Sequence, residues 1–278
     1  MKDVSFGQYY PVESPVHRLD PRVKLLSVVL YIVGIFFIQK FIGFAVVALF
    51  LLVAIACSRV PLMKVLRSVR AVLFLVLFTA IISVLFYSGG GEEPLWAWGI
   101  IKIYKGGLLS AARMALRLVF LVLGPSLLTL TTTPVELTDG LESLLKPLAL
   151  IKLPVHELAI IMSIALRLIP TLTEETEKIM NAQKARCADF DTGNIFKRAK
   201  SLIPILIPLF VSSFRRADEL ADAMDSRCYR GAKGRTRMRV LKLRFRDFVA
   251  AFVMLALFFV ILVLRYNWFG LGFINLLV

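Results

Sequence analysis

The side chains best placed to do chemistry stand at the ends of two similar segments. Residues 177–187 read EKIMNAQKARC and residues 218–228 read DELADAMDSRC. Each opens on an acid, runs through Ala- and Met-rich helix formers and closes on Arg-Cys, at Arg186-Cys187 and again 41 positions later at Arg227-Cys228. An arginine held at a helix end is suited to recognition, because its planar fork donates charge-assisted hydrogen bonds to carboxylates and carbonyls. An apolar, proline-marked segment precedes each copy, at 158–170 and 202–214. The pattern predicts two long helices, each ending in an exposed arginine, on a cytosolic domain between membrane spans. Two such ends in one polytopic chain make a docking device.

Other chemistries find little support. Cys187, Cys228 and His156 lack the Cys-x-x-Cys or His-x-x-x-His spacing of a metal site, and the three cysteines are too scattered for a disulfide framework. Residues 231–236 (GAKGRT) only superficially resemble a P-loop, so no ATP cradle is expected in this chain. His156-Glu157 opens a predicted helix, where the carboxylate complements the helix dipole. A membrane enzyme acting on lipid phosphates would need the carboxylates Glu174, Glu175, Glu177, Asp218, Glu219 and Asp222 on one face, but their spacing alternates around the helices. A scaffold holding RNA would need aromatics among the basic residues, and only Phe245 and Phe248 are there. No nucleic-acid partner is expected.

The elements that must position these helix ends belong to a membrane protein. The 278 residues are 58% hydrophobic and include 21 Phe, above the 45–50% apolar share of globular proteins, so the excess must face lipid. Net charge is +15, and the charges fall between apolar runs, as membrane topology requires. Apolar runs at 25–39, 41–57, 71–87, 108–130 and 248–264 predict five spans, the first two forming a tight hairpin about Lys40. The first ~24 residues have no apolar stretch of leader type, so a cleaved leader is not expected. Arg59, Lys64, Arg67 and Arg70 mark a cytosolic loop without one acid. Residues 89–94 with Trp96 and Trp98 read as an outside loop with interfacial aromatics. The N-terminus is then cytosolic and the C-terminus external, with Trp268 at the far interface. Arg113 and Arg117 share one face of the fourth span, kinked at Gly124-Pro125, and read as snorkelling or structural pairing rather than as a substrate site.

Between the fourth and last spans lies the platform. Thr133-Pro134-Val135-Glu136 is a capping box with proline at the first helical position, and Leu137, Leu141, Leu144, Leu145 and Leu148 line one apolar face after it. Residues 178–247 hold 17 Lys/Arg against 7 Asp/Glu, densest at 233–246, which reads as an anchor for anionic lipid. The expected class is an all-α integral membrane protein with about five spans and two to three long amphipathic helices. Its regions are a membrane part at 1–130, a cytosolic helical domain at 131–247, and a last span with external tail at 248–278.

These residues resemble the transmembrane coupling subunit, or T component, of energy-coupling factor transporters, the ABC-type importers of vitamins and trace metals. The likeness runs nearly end to end, through the Tyr-Pro lead-in with 17–24, then 128–142, 165–172 with 182–186, and 216–224. Together these segments are specific. The resemblance implies that Ala185-Arg186-Cys187 and Ser226-Arg227-Cys228 end coupling helices and insert into grooves on two ABC ATPase subunits. Cysteine stands where that family usually has glycine. This bears on the turn after each arginine, because glycine reaches positive φ freely and cysteine does not. The resemblance further implies an apolar surface for a separate substrate-binding membrane subunit, the S component. Leu141, Leu144, Leu145, Leu158, Ile161, Leu202, Ile205 and Leu209 are its candidates. No cofactor is implied for this chain, ATP being used by the partner subunits in a bacterial or archaeal cytoplasmic membrane.

Overall fold

The computed structural model describes residues 9–87, 96–98, 101–147, 154–188, 190, 195–231 and 241–266. Its helices are α1 (Pro21–Phe37), α2 (Phe41–Ser58), α3 (Leu62–Leu85), α4 (Lys105–Thr131), α5 (Pro134–Leu145), α6 (Val155–Ala185), α7 (Ile195–Ser226) and α8 (Phe245–Tyr266). Two three-residue strands interrupt the α3–α4 connection, β1 (Trp96–Trp98) and β2 (Ile101–Ile103), paired antiparallel with Trp96 opposite Ile103. The class is therefore all-α, with one short hairpin where sequence suggested only a loop. The 89–94 loop, Leu148, Trp268 and most of the 233–246 basic stretch lie outside the described residues.

Among the described residues, five helices are long and apolar enough to cross a membrane by length and composition: α2, α3, α4, α6 and α8. The number agrees with expectation, and four of the expected spans, at 41–57, 71–87, 108–130 and 248–264, fall on α2, α3, α4 and α8. The span expected at 25–39 is α1, whose 17 residues rise about 25 Å and, like the 18 of α2, stand at the short end of what crosses a ~30 Å hydrocarbon core. Helix α6 runs unbroken through Pro170 for 31 residues, the long helix expected there, and its apolar first half makes it the fifth helix of that length and composition.

The chain divides into two compact units, residues 1–143 with 241–278, and residues 144–240. Most of α5, read from sequence as part of the platform, thus groups with the membrane helices. In the first unit α1, α2, α4 and α8 close around Tyr31, Ile35, Val47, Phe120, Leu257 and Ile261. Lipid tails are as apolar as these side chains, so close van der Waals fit rather than burial from water must hold the helices together. Gly124 makes the closest fit, since a Cβ there would lie 2.2 Å from Tyr31 Cε1. The next residue, Pro125, supplies no N–H to the turn before it. Tyr31 Oη reaches that turn and donates to the Phe120 carbonyl at 2.9 Å. Arg117 Nη2 donates to the Ile38 carbonyl at 2.8 Å, satisfying an acceptor at the end of α1. Arg113 Nε turns back to the Leu109 carbonyl at 3.4 Å. Both arginines of α4 thus bond to backbone, the structural pairing expected of them.

The second unit is built on α6 and α7. Glu175 of α6 accepts from Ser212 Oγ and, at 2.8 Å, from Arg216 Nη2 of α7. Serine and arginine lie four residues apart, one helical turn, so a single carboxylate reaches both.

Candidate docking site on two helix ends

The two Arg-Cys segments end their helices in the same way. Helix α6 stops at Ala185 with Arg186 as its cap, and the Cys187 N–H donates to the Lys184 carbonyl and the Ala188 N–H to that of Gln183, each at 3.0 Å. Helix α7 stops at Ser226, and there the Cys228 N–H donates to the Asp225 carbonyl at 2.9 Å and the Tyr229 N–H to that of Met224 at 3.0 Å. Both patterns are the Schellman motif, which satisfies carbonyls the helix leaves open and needs a left-handed residue just past the cap. That residue is Cys187 at φ 63° and Cys228 at φ 54°. The turn that glycine would favour is therefore made here by cysteine, and the backbone geometry survives the substitution.

Ala185, Arg186, Cys187, Ser226, Arg227 and Cys228 are all exposed. Helix α6 ends ten residues past Glu175 and α7 ten residues past Arg216, so each arginine is carried about 15 Å beyond the point where the helices touch. Equal arms, equal caps and exposed guanidinium groups make a matched pair of helix ends. A guanidinium in this setting can donate to acceptors on a partner. Among the described residues no group of three or more His, Cys, Asp or Glu gathers as metal ligands would.

The apolar candidates divide. Leu158, Ile161 and Leu202 are open on the second unit, Leu141 is open on the first, and Leu144, Leu145 and Leu209 are half-buried. Ile205 is only 4% exposed, which corrects its assignment to the open surface. The reason is helical phase. Ile205, Leu209, Ser212 and Arg216 recur at four- and three-residue steps, and the last two turn toward α6. The open face of α7 is instead Ile203, Leu206, Ile207, Phe210, Val211 and Phe214. Placing Ser212 and Arg216 on the inner face would have identified it from sequence. The Glu175 contact itself gave no such signal, since its partners are 37 and 41 residues away.

Sequence reading also passed over a buried polar knot where the first unit's helices begin. The lead-in at 17–24 carries part of the family resemblance but no sign of burial, yet Lys24 within it is 6% exposed, and Asp247 at the start of α8 is 3% exposed. His17 Nε2 meets the Tyr10 carbonyl at 3.0 Å and Nδ1 meets Ser14 Oγ at 2.6 Å. A carbonyl can only accept, so Nε2 carries the proton and Nδ1 accepts from the hydroxyl. Burial holds the His17 pKa below the ordinary histidine value, with the Lys24 charge adding to the effect, against the bond to the Tyr10 carbonyl.

Fold and site together define a polytopic helical membrane protein that displays two matched, arginine-bearing helix ends. The family profile described as CbiQ, cobalt transport protein, matches residues 12–238, and the chain belongs to that family. Its curated relatives include energy-coupling factor transporter transmembrane proteins EcfT from three bacteria. That of Clostridium kluyveri is 52% identical over 96% of this chain and 99% of its own length. Those of Acidaminococcus fermentans and Bacillus subtilis are 49% and 45% identical, covering 96% and 93% of this chain and 98% of their own lengths. The chain is thus a transmembrane transport protein of this family and not an enzyme.

Proposed function

We propose that the chain is the transmembrane coupling subunit of an energy-coupling factor importer of vitamins or trace metals. Two ABC ATPase subunits receive Arg186 and Arg227, each in a groove offering carboxylates or carbonyls. The ATPases close on ATP and open after hydrolysis, and the arginine-tipped helices turn that movement into movement of α6 and α7. This chain binds no nucleotide itself. The apolar surfaces of α5, α6 and α7 grip a substrate-binding S component, which chooses the cargo. A contact that is helical and apolar, without shaped polar pockets, serves several such partners. The N-terminus is cytosolic and the C-terminus external, a reading supported by the acid-free run Arg59, Lys64, Arg67 and Arg70. Anionic lipid holds the basic stretch before α8.

The supporting observation is the pair of identical Schellman ends, each presenting an exposed arginine beside a left-handed cysteine. The test is co-purification from membranes with candidate ABC ATPases, comparing wild type with Arg186→Ala, Arg227→Ala and the double change. Truncating a charged anchor buried in a complex costs about 2–5 kcal/mol, so the double variant should lose the ATPases while remaining inserted and folded. If wild type captures no ATPase, or the double variant captures it undiminished, the docking role is wrong.

A further inference from the structure

The buried knot around Lys24 and Asp247 does more than fill space between helices. The Lys24 ammonium has three protons, and it donates to the His17 carbonyl at 3.1 Å, the Thr131 carbonyl at 3.0 Å and Thr132 Oγ1 at 3.3 Å. One side chain on α1 therefore holds both the lead-in and the last turn of α4. The Asp247 carboxylate bridges in a second direction. Its Oδ2 accepts from the Arg244 N–H at 2.7 Å, at the start of α8, and its Oδ1 accepts from the Asp20 N–H at 2.8 Å, at the start of α1. The Asp20 side chain in turn caps α1 through the Arg22 N–H at 2.9 Å.

The position of the knot along the chain gives it a meaning beyond stability. The chain passes between residues 144–240 and the membrane unit twice, after residue 143 and before residue 241. The outgoing stretch leaves α4 through Thr131 and Thr132, which Lys24 holds, and enters α5. Helix α5 is seated on the start of α1, where a Cβ on Gly140 would lie 3.0 Å from Pro21 Cβ. The returning stretch enters α8 at Arg244, which Asp247 holds. Both stretches are thus clamped to the first turn of α1 by buried polar side chains. A buried charge is a costly way to gain stability, since apolar residues of equal size often serve as well or better, and its best-attested use is to fix one register.

We propose that Lys24 and Asp247 are positioning residues for energy coupling: they fix the two chain connections to α1, so that movement of α6 and α7 is delivered to the membrane unit rather than lost as slack. The proposal rests on the coupling reading above. It requires that loosening the knot separates ATP turnover from transport while leaving assembly intact.

The experiment uses the full complex, with its ATPases and S component, reconstituted in proteoliposomes. Uptake of the cargo and ATP hydrolysis are measured together for wild type, Lys24→Met, Asp247→Asn and Lys24→Arg. Thr132→Val is added because it removes one acceptor and leaves every charge in place. Lys24→Met and Asp247→Asn should lower cargo moved per ATP at least tenfold, with ATPase co-purification as in wild type. Thr132→Val should lower it two- to fivefold, and Lys24→Arg, which still donates to several acceptors, should fall between wild type and Lys24→Met. If Thr132→Val and Lys24→Met both keep the wild-type ratio, the proposal fails. If either releases the ATPases, the knot serves assembly and the proposal fails equally. Failure of the coupling reading itself looks different, since wild type would then hold no ATPase at all. Should Lys24→Met not insert, Thr132→Val and Asp247→Asn decide the matter by the same ratio.

Discussion

Replacing Cys187 and Cys228 by glycine isolates the cost of building a glycine turn from another residue. Both cysteines sit in the left-handed region, at φ 63° and 54°, and both side chains are exposed. Removing them therefore takes away little packing and leaves the backbone bonds of the Schellman motif unchanged. A non-glycine residue in this conformation costs about 1–2 kcal/mol. Glycine gives back roughly 0.5–1 kcal/mol through its greater freedom in the unfolded chain. The expected net gain is about 0.5–1 kcal/mol at each helix end, which slows local opening roughly two- to fivefold. Amide hydrogen exchange reads this directly. The Cys187 and Ala188 amides should exchange two- to fivefold more slowly in Cys187→Gly, as should those of Cys228 and Tyr229 in Cys228→Gly. The two ends share no hydrogen-bond partner, so the gains should add in the double variant. Alanine at either site keeps the φ cost and should leave exchange unchanged. Exchange in the glycine variants no slower than in the alanine variants would refute the reasoning, and the positive φ would then carry no strain worth relieving.

Three further outcomes follow from the geometry. His17 favours its neutral form when folded, so the unfolded chain binds more protons as pH falls through about 6.5; stability contributed by His17 is full above that pH and is lost below it, and His17→Gln should flatten that part of a denaturation–pH curve in detergent. Gly124→Val should destabilise the membrane unit by about 1–3 kcal/mol, because its Cβ would meet Tyr31 at 2.2 Å, and adding Tyr31→Ala should recover part of the lost thermal stability. Glu175→Ala frees Ser212 and Arg216 at a half-exposed contact, so stability should fall only slightly. The larger effect should be a broader distribution of distances between spin labels on Cys187 and Cys228, measured with Cys57 replaced.

Much was legible from local pattern. A helix end that repeats its acid-to-Arg-Cys signature needs only neighbouring residues to form, and so the ends of α6 and α7 were readable to the residue. The capping box at Thr133 was equally local, and the structure has the Glu136 N–H on Thr133 Oγ1 at 3.3 Å. Less legible was which apolar runs reach membrane length. Helix α1 ends at Phe37, two residues before the apolar run does, and the proline at 170 left α6 continuous. A proline lowers helix propensity locally, but helix length is decided by what the neighbouring turns can satisfy.

Sequence alone determined that this chain is a helical membrane protein with two arginine-tipped helices, because hydropathy, helix formers and helix caps act over a few neighbouring residues. The tertiary structure decided what distant residues do together. It turned Ile205 inward with Ser212 and Arg216, set Glu175 against partners 37 and 41 residues away, and buried Lys24 and Asp247 in one knot. Asp247 meets the Asp20 N–H across 227 positions of chain. A charge among basic residues looks solvated until the fold removes its water. What then holds it is whichever donor or acceptor the packing of helices brings within about 3 Å.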